Sequence, residues 1–217
     1  MKVVVLLSGG IDSSTTCAIA KKQGHDIYAL TILYGQKHTR EVESAKKVAD
    51  FLKVKEHSII ELPTLRGSSL TGEGEIPQGD VSRESIPSTF VPARNFIFLG
   101  LAANYAISVG AKDIYIGANS VDFSGYPDCR PEFVKSCEET LQKALELPIR
   151  IWAPLMLVTK AEIIRLGVNL GLDYSLTTSC YRGKEKACGQ CDACLLRLKG
   201  FEEAGLVDPI RYVEGRD

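Results

Sequence analysis

The chain predicts an α/β fold built as a doubly wound parallel sheet, and three observations carry that expectation. Apolar runs of strand length alternate with segments of helical period along most of the 217 residues. The first run, Val3-Val4-Val5-Leu6-Leu7, is apolar throughout, as a strand buried on both faces requires. It stops at Ser8-Gly9-Gly10, and the chain restarts at Ser13 as a helix, which is how a βαβ unit opens. Four crowded cysteines mark a small module at the C-terminal end. The expected division is 1–175 for the α/β domain and 176–217 for that module.

The remaining elements follow the same alternation. Asp26 to Tyr34 reads as a second strand, ending at Gly35. Thr39 to Leu52 reads as a helix, with Val42, Ala45, Val48, Ala49 and Leu52 on one face. His57 to Leu62 is a third strand, and Phe96 to Val109 is a helix apolar enough to be a buried packing helix. Lys112 to Gly117 supplies a fourth strand. Pro131 opens a helix that runs to Leu147, a position where its missing N–H costs nothing. Arg150 to Pro154 is a short strand. Thr159 to Leu170 is a helix whose Thr159 and Glu162 form a capping-box pattern. Between them, 66–91 is rich in Gly, Ser, Pro and Thr without period; a connection this long suggests a lid or binding loop, with a plain surface insertion as the alternative.

Composition narrows the function classes. The chain has 26 basic and 27 acidic residues, so no global field favours a polyanion, and no nucleic-acid partner is expected. No apolar run approaches the ~20 residues that span a bilayer, and no basic leader precedes the first strand, so a cytoplasmic protein without membrane contact is the expectation.

The turn after the first strand carries chemistry. A glycine-rich turn between a parallel strand and a helix aims backbone N–H groups and the helix dipole at one point, which suits an anion such as phosphate. Serine hydroxyls add donors, and Asp12 among phosphates makes sense if a hard cation such as Mg2+ lies between them. The Walker pattern with its lysine is absent, which disfavours an ordinary P-loop kinase or ATPase. Ser8-Gly9-Gly10-Ile11-Asp12-Ser13 resembles the pyrophosphate loop of the N-type ATP pyrophosphatases, whose fold is adenine nucleotide α-hydrolase-like. That resemblance implies ATP bound by Ser8 to Ser14, with Tyr34 and Gln36 near the adenosine, and transfer of AMP to a substrate oxygen. It also implies that Asp12 is catalytic, and that Lys160 matches a lysine aimed at the phosphates.

A second constellation points to the acceptor. Val91-Pro92-Ala93-Arg94-Asn95 precedes the apolar helix, and Gly117 to Phe133 mixes amides, carboxylates, arginine and aromatics beyond a strand end. Tyr126 or Phe123 can stack on a flat base, Asp122 or Asp128 can accept from ring donors, and Arg94 or Arg130 can hold a carboxylate. Asn95 and Asn119 add amides to the same set. These motifs together resemble the 7-cyano-7-deazaguanine synthase family over Lys2 to about Leu198. The resemblance implies an ATP-dependent carbon–nitrogen ligase in queuosine biosynthesis, converting 7-carboxy-7-deazaguanine and ammonia to the nitrile with two adenylations. A homodimer is implied as well.

Cys188-x2-Cys191-x2-Cys194 with Cys180 can wrap one tetrahedral ion and leave no open position, which makes the ion structural. Spacing alone admits an iron–sulfur cluster, and the resemblance favours one Zn2+ per chain. Cys17 and Cys137 lie within helices and read as packing residues. Two rival readings remain. One is a tRNA-thiolating or lysidine-type ATP pyrophosphatase, which would call for an RNA-binding extension. The other is a non-catalytic nucleotide-binding zinc module, which would release no pyrophosphate. No segment is recognisable as a glutaminase, so free ammonia is the expected nitrogen source.

Overall fold

The computed structural model describes residues 1–37, 40–72, 75, 86–121, 126–182 and 185–213. Five strands, β1 (Lys2–Leu6), β2 (Asp26–Leu33), β3 (Glu56–Glu61), β4 (Asp113–Tyr115) and β5 (Arg150–Trp152), form one sheet in the order β3-β2-β1-β4-β5, every pair parallel. Six helices connect and cover it: α1 (Ile11–Lys22), α2 (Arg40–Phe51), α3 (Arg94–Val109), α4 (Pro131–Leu145), α5 (Lys160–Asn169) and α6 (Asp192–Ala204).

The alternation of a pleated strand sorts β1 onto two cores. Val3, Val5 and Leu7 pack with Cys17 and Ala18 of α1, Ala45 and Val48 of α2, Ile163 and Ile164 of α5, and Phe201 of α6. Val4 and Leu6 face the other way, onto Leu99, Ala102 and Ala106 of α3 with Val134 and Cys137 of α4. The sheet is thus covered on both faces, as the apolar strands require. Chain order reverses at β1, whose neighbours are β2 on one side and β4 on the other, so a crevice opens beyond its carboxyl end.

Several boundaries differ from the sequence reading for physical reasons. The helix after the glycine turn starts at Ile11 with Gly10 as N-cap, and no serine side chain caps it. The helix expected from Phe96 starts at Arg94 and buries one face only; Phe96 is exposed. β4 ends early because the chain leaves the sheet to cross the start of α1. A Cβ on Gly117 would stand 2.8 Å from the Ser13 nitrogen, so only glycine allows that approach. The capping box at α5 is formed as expected, with Thr159 accepting from the Glu162 N–H and Glu162 accepting from the Thr159 N–H. The sequence reading gives no helix at α6, where Cys191 is the N-cap, Cys194 lies in the first turn and Gly200 interrupts the apolar stripe.

Among the described residues no helix is long and apolar enough to cross a membrane. Of the connection expected to act as a lid, residues 73–74 and 76–85 lie outside the described residues. Its described ends meet, the Ser69 N–H donating to Ser88 O at 2.9 Å.

Candidate active site

A cavity of about 340 Å³ opens at the carboxyl end of β1 and is shared by the glycine-rich turn and the second constellation. Ser8, Gly10, Ile11, Asp12 and Ser13 form one wall, Tyr34 and Gln36 another, and Arg94, Asn95, Asn119 and Tyr126 a third, with Lys160 entering from α5.

The turn is braced from within and from behind. The Ser8 N–H donates to Ser13 Oγ at 3.1 Å, and the two hydroxyls stand 2.9 Å apart. Gly9 carries φ +79°, and the Thr178 N–H donates to its carbonyl at 2.9 Å. Gly9 faces α2 rather than the cavity: a Cβ there would lie 2.5 Å from Ala45 N and 2.6 Å from Glu41 O. Those are backbone atoms, which cannot swing aside. Gly9→Ala should therefore cost about 2–4 kcal/mol, read as a lower urea midpoint at unchanged m value. Ser14, the last residue expected at the phosphates, is wholly buried within α1 and does not line the cavity; its hydroxyl has no hydrogen-bond partner among the described residues.

Lys160 crosses to this wall. Its ammonium donates to both oxygens of Asp12, at 2.6 and 2.8 Å. Position 200 sets its path, because a Cβ on Gly200 would run into the Lys160 stem. The cavity thus holds an adjacent cation and anion at the mouth of a helix N-terminus.

On the opposite wall, the Arg94 guanidinium lies 5.7 Å from the Tyr34 ring centre and 5.9 Å from that of Tyr126. It donates to the Tyr34 hydroxyl at 3.3 Å. Tyr126 is held by Thr89, hydroxyl to hydroxyl at 2.7 Å. An arginine between two aromatic faces is rigid and keeps donors for a planar anion. Of the two arginines expected at a carboxylate, only Arg94 lines the cavity; Arg130 is exposed and is not part of its wall. Asp128 does not line it either. Its Oδ2 accepts the Asn95 N–H at 3.0 Å, which anchors the start of α3, while its Oδ1 is buried with no hydrogen-bond partner among the described residues. Asn119 lines the cavity, yet its amide nitrogen donates to Leu155 O at 2.8 Å, tying the strand end to the approach to α5. Asp122 and Phe123 lie outside the described residues.

The cavity also contains residues the sequence reading passed over. Glu41, on the first turn of α2, lines it, and burial pushes its carboxyl up to about 7 against the opposing charge of Arg94. Cys129 lines it too; burial and the Asp128 charge push its thiol up to about 11, so it stays protonated at neutral pH. Tyr181 and Arg197 come from the C-terminal segment. Arg197 is 1% exposed and pairs with Asp208 through Nε at 2.8 Å and Nη2 at 2.9 Å, while Nη1 reaches Thr177 Oγ1 at 2.8 Å. A signal for Tyr181 existed in its place beside Cys180. A buried arginine in α6 had none.

The four cysteines come together as their spacing predicts. The Sγ atoms of Cys180, Cys188, Cys191 and Cys194 lie within 4.8 Å of one another, and Cys188 and Cys194 are 3.9 Å apart. A tetrahedron with metal–sulfur bonds of ~2.3 Å has edges of ~3.8 Å, so the set fits one metal ion. Backbone N–H groups of Cys188 and Cys191 point at sulfur, at 3.3 and 3.4 Å. Hydrogen bonds from the Cys191 and Cys194 thiols hold Cys180 low, and that same exchange pushes the other two up. Four thiolates in one shell need a cation among them.

Comparison with known proteins agrees with this architecture. The family model for queuosine biosynthesis protein QueC matches residues 2–205. A 7-cyano-7-deazaguanine synthase from Oceanobacillus iheyensis is 49% identical over 218 residues, covering 98% of each chain. One from Thermoplasma acidophilum is 50% identical, covering 97% of this chain and 92% of its own. Among solved structures, NMN synthetase from Francisella tularensis superposes with TM-score 0.53 at 15% identity, over 95% of this chain and 87% of that one, a likeness of fold. With the matched segment running from the first strand through the last helix, this chain belongs to the queuosine biosynthesis protein QueC family.

Proposed function

We propose that this protein is an ATP-dependent ligase that converts 7-carboxy-7-deazaguanine and ammonia to 7-cyano-7-deazaguanine. The observation that carries the reading is one cavity holding both a phosphate-type turn with its Asp12–Lys160 pair and the aromatic-flanked Arg94. Family membership supplies the substrate class, since the relatives bear the name 7-cyano-7-deazaguanine synthase.

Each residue then has a task. The turn from Ser8 to Ser13 holds the β and γ phosphates, with Ile11 and Gly10 offering backbone N–H groups at the α1 terminus. Tyr34 and Gln36 flank the adenosine. Asp12, one carboxylate beside phosphate oxygens, is the donor set Mg2+ takes, and the ion supplies charge neutralisation as pyrophosphate departs. Lys160 adds a cation on the same path. Arg94 grips the carboxylate of the substrate, whose rings lie along Tyr126 and Phe123, with Asp122 accepting from ring donors. Carboxylate cannot expel oxide; adenylation provides AMP as the leaving group, first for ammonia to form the amide and again as the nitrile forms. Zn2+ on the four cysteines is structural. We take the active form to be a cytoplasmic homodimer that binds small molecules only.

The decisive experiment is mass spectrometry of product from the acid, the amide and a 2-deamino analogue with ATP and ammonium. The acid and amide should both give nitrile, and glutamine should not replace ammonium. The analogue should fail, since a site built for that hydrogen bond loses roughly 2–5 kcal/mol when it is missing. An inert amide would overturn the two-adenylation scheme.

A further inference from the structure

Among the described residues of the cavity wall, Asp12 and Glu41 are the carboxylates, and the scheme above uses Asp12 but leaves Glu41 idle. It opens α2, and its backbone carbonyl abuts Gly9 of the turn, 2.6 Å from where a Cβ would stand. Its carboxyl feels Arg94 of α3 and in turn acts on the Tyr34 phenol at the end of β2. Asp12 and Lys160 occupy the same cavity but neutralise each other at 2.6 Å. Glu41 therefore shares one cavity with the turn assigned to pyrophosphate and with Arg94, and its backbone is in contact with that turn. The reacting carbonyl carbon lies between those two subsites.

We propose that Glu41 binds the ammonium ion beside the adenylated acid and takes its proton. This rests on the ligase reading above. Ammonium is the dominant form of ammonia near neutral pH and has no lone pair to attack with. A half-buried carboxylate attracts the cation, and transfer of one proton to its oxygen frees the nitrogen pair. That pair forms the C–N bond, the C–O bond to AMP breaks with its electrons, and the departing phosphate takes the second nitrogen proton. A carboxyl pushed up to about 7 by burial is matched to that proton transfer.

The test separates nitrogen capture from adenylation. Acid-dependent exchange of labelled pyrophosphate into ATP, without any nitrogen source, reads the first half-reaction alone. Glu41→Gln should leave that exchange within about threefold of wild type while amide formation from ammonium falls about 100-fold or more. Hydroxylamine, neutral at the same pH, needs no proton removed before attack, so hydroxamate formation by Glu41→Gln should stay within about threefold of wild type. Glu41→Asp should recover part of the ammonium rate. Equal loss with both nucleophiles, or loss of exchange, overturns the proposal and makes Glu41 a binding residue for the acid. Absence of acid-dependent exchange in wild type overturns the ligase reading and this proposal with it.

A stability measurement guards against a folding artefact. The folded carboxyl titrates higher than the ordinary 4.5, so ionising it costs native stability, which falls as pH rises from about 4.5 through 7. Glu41→Gln removes that fall. Its melting temperature should equal that of wild type near pH 4 and exceed it above pH 7.

Discussion

Lys160→Ala is expected to slow pyrophosphate release by about 10²–10³-fold, the loss typical of a preorganised donor aimed at developing charge. The side chain reaches the phosphate turn from the first residue of α5, and both Asp12 oxygens receive its protons. A cation placed there gains most as negative charge gathers on the departing pyrophosphate, so kcat should fall further than the apparent affinity for the acid. The fold should survive. The capping box of α5 uses Thr159 and Glu162, and alanine is a good helix former. Single-turnover pyrophosphate release measures the effect, and an unchanged rate would remove Lys160 from the mechanism.

Removing the metal is expected to have the largest structural effect. Cys191 is fully buried and caps α6, and the four-cysteine cluster packs on Ala187, Tyr181 and Tyr212. Without an ion, the thiols face one another in a shell too small for water. Chelation or Cys191→Ser should lower stability by at least about 3 kcal/mol and expose the C-terminal segment to protease. Nucleotide affinity should drop in parallel. The link is physical: Arg197 of α6 holds Thr177 and Ser179, and the Thr178 N–H between them holds the Gly9 carbonyl. Elemental analysis should find close to one zinc per chain, and iron with visible charge-transfer absorption would replace that reading.

The sheet and most of its helices were legible because their signals are local. The unbroken apolar run at Val3 to Leu7, the capping box at Thr159 and the cysteine spacing each need only a few consecutive residues. What escaped depends on contacts across the fold. Gly9 is a phosphate-loop glycine by sequence and Gly117 opens the acceptor constellation, and both turn out to admit a neighbouring backbone. Asp128 and Arg130 share the composition of a binding loop with Tyr126, yet neither lines the cavity, while Cys129 of the 3-10 turn over Pro127–Cys129 does. Arg197 looks like any helix arginine until Asp208, eleven residues on, folds back to neutralise it. Ion pairs of that kind carry no periodicity.

Sequence distance across the cavity has a consequence for synthesis. Asp12 and Lys160 are 148 residues apart, and the Thr178 N–H that pins Gly9 comes later still. At roughly 5–20 residues per second, the ribosome makes the turn about 7–30 s before it makes the lysine that completes it. The strand that carries the turn is the central one, so it must wait for β4 before it is flanked on both sides. A nascent chain of this protein therefore carries the glycine turn long before Lys160 and then the Thr178 N–H are made to brace it.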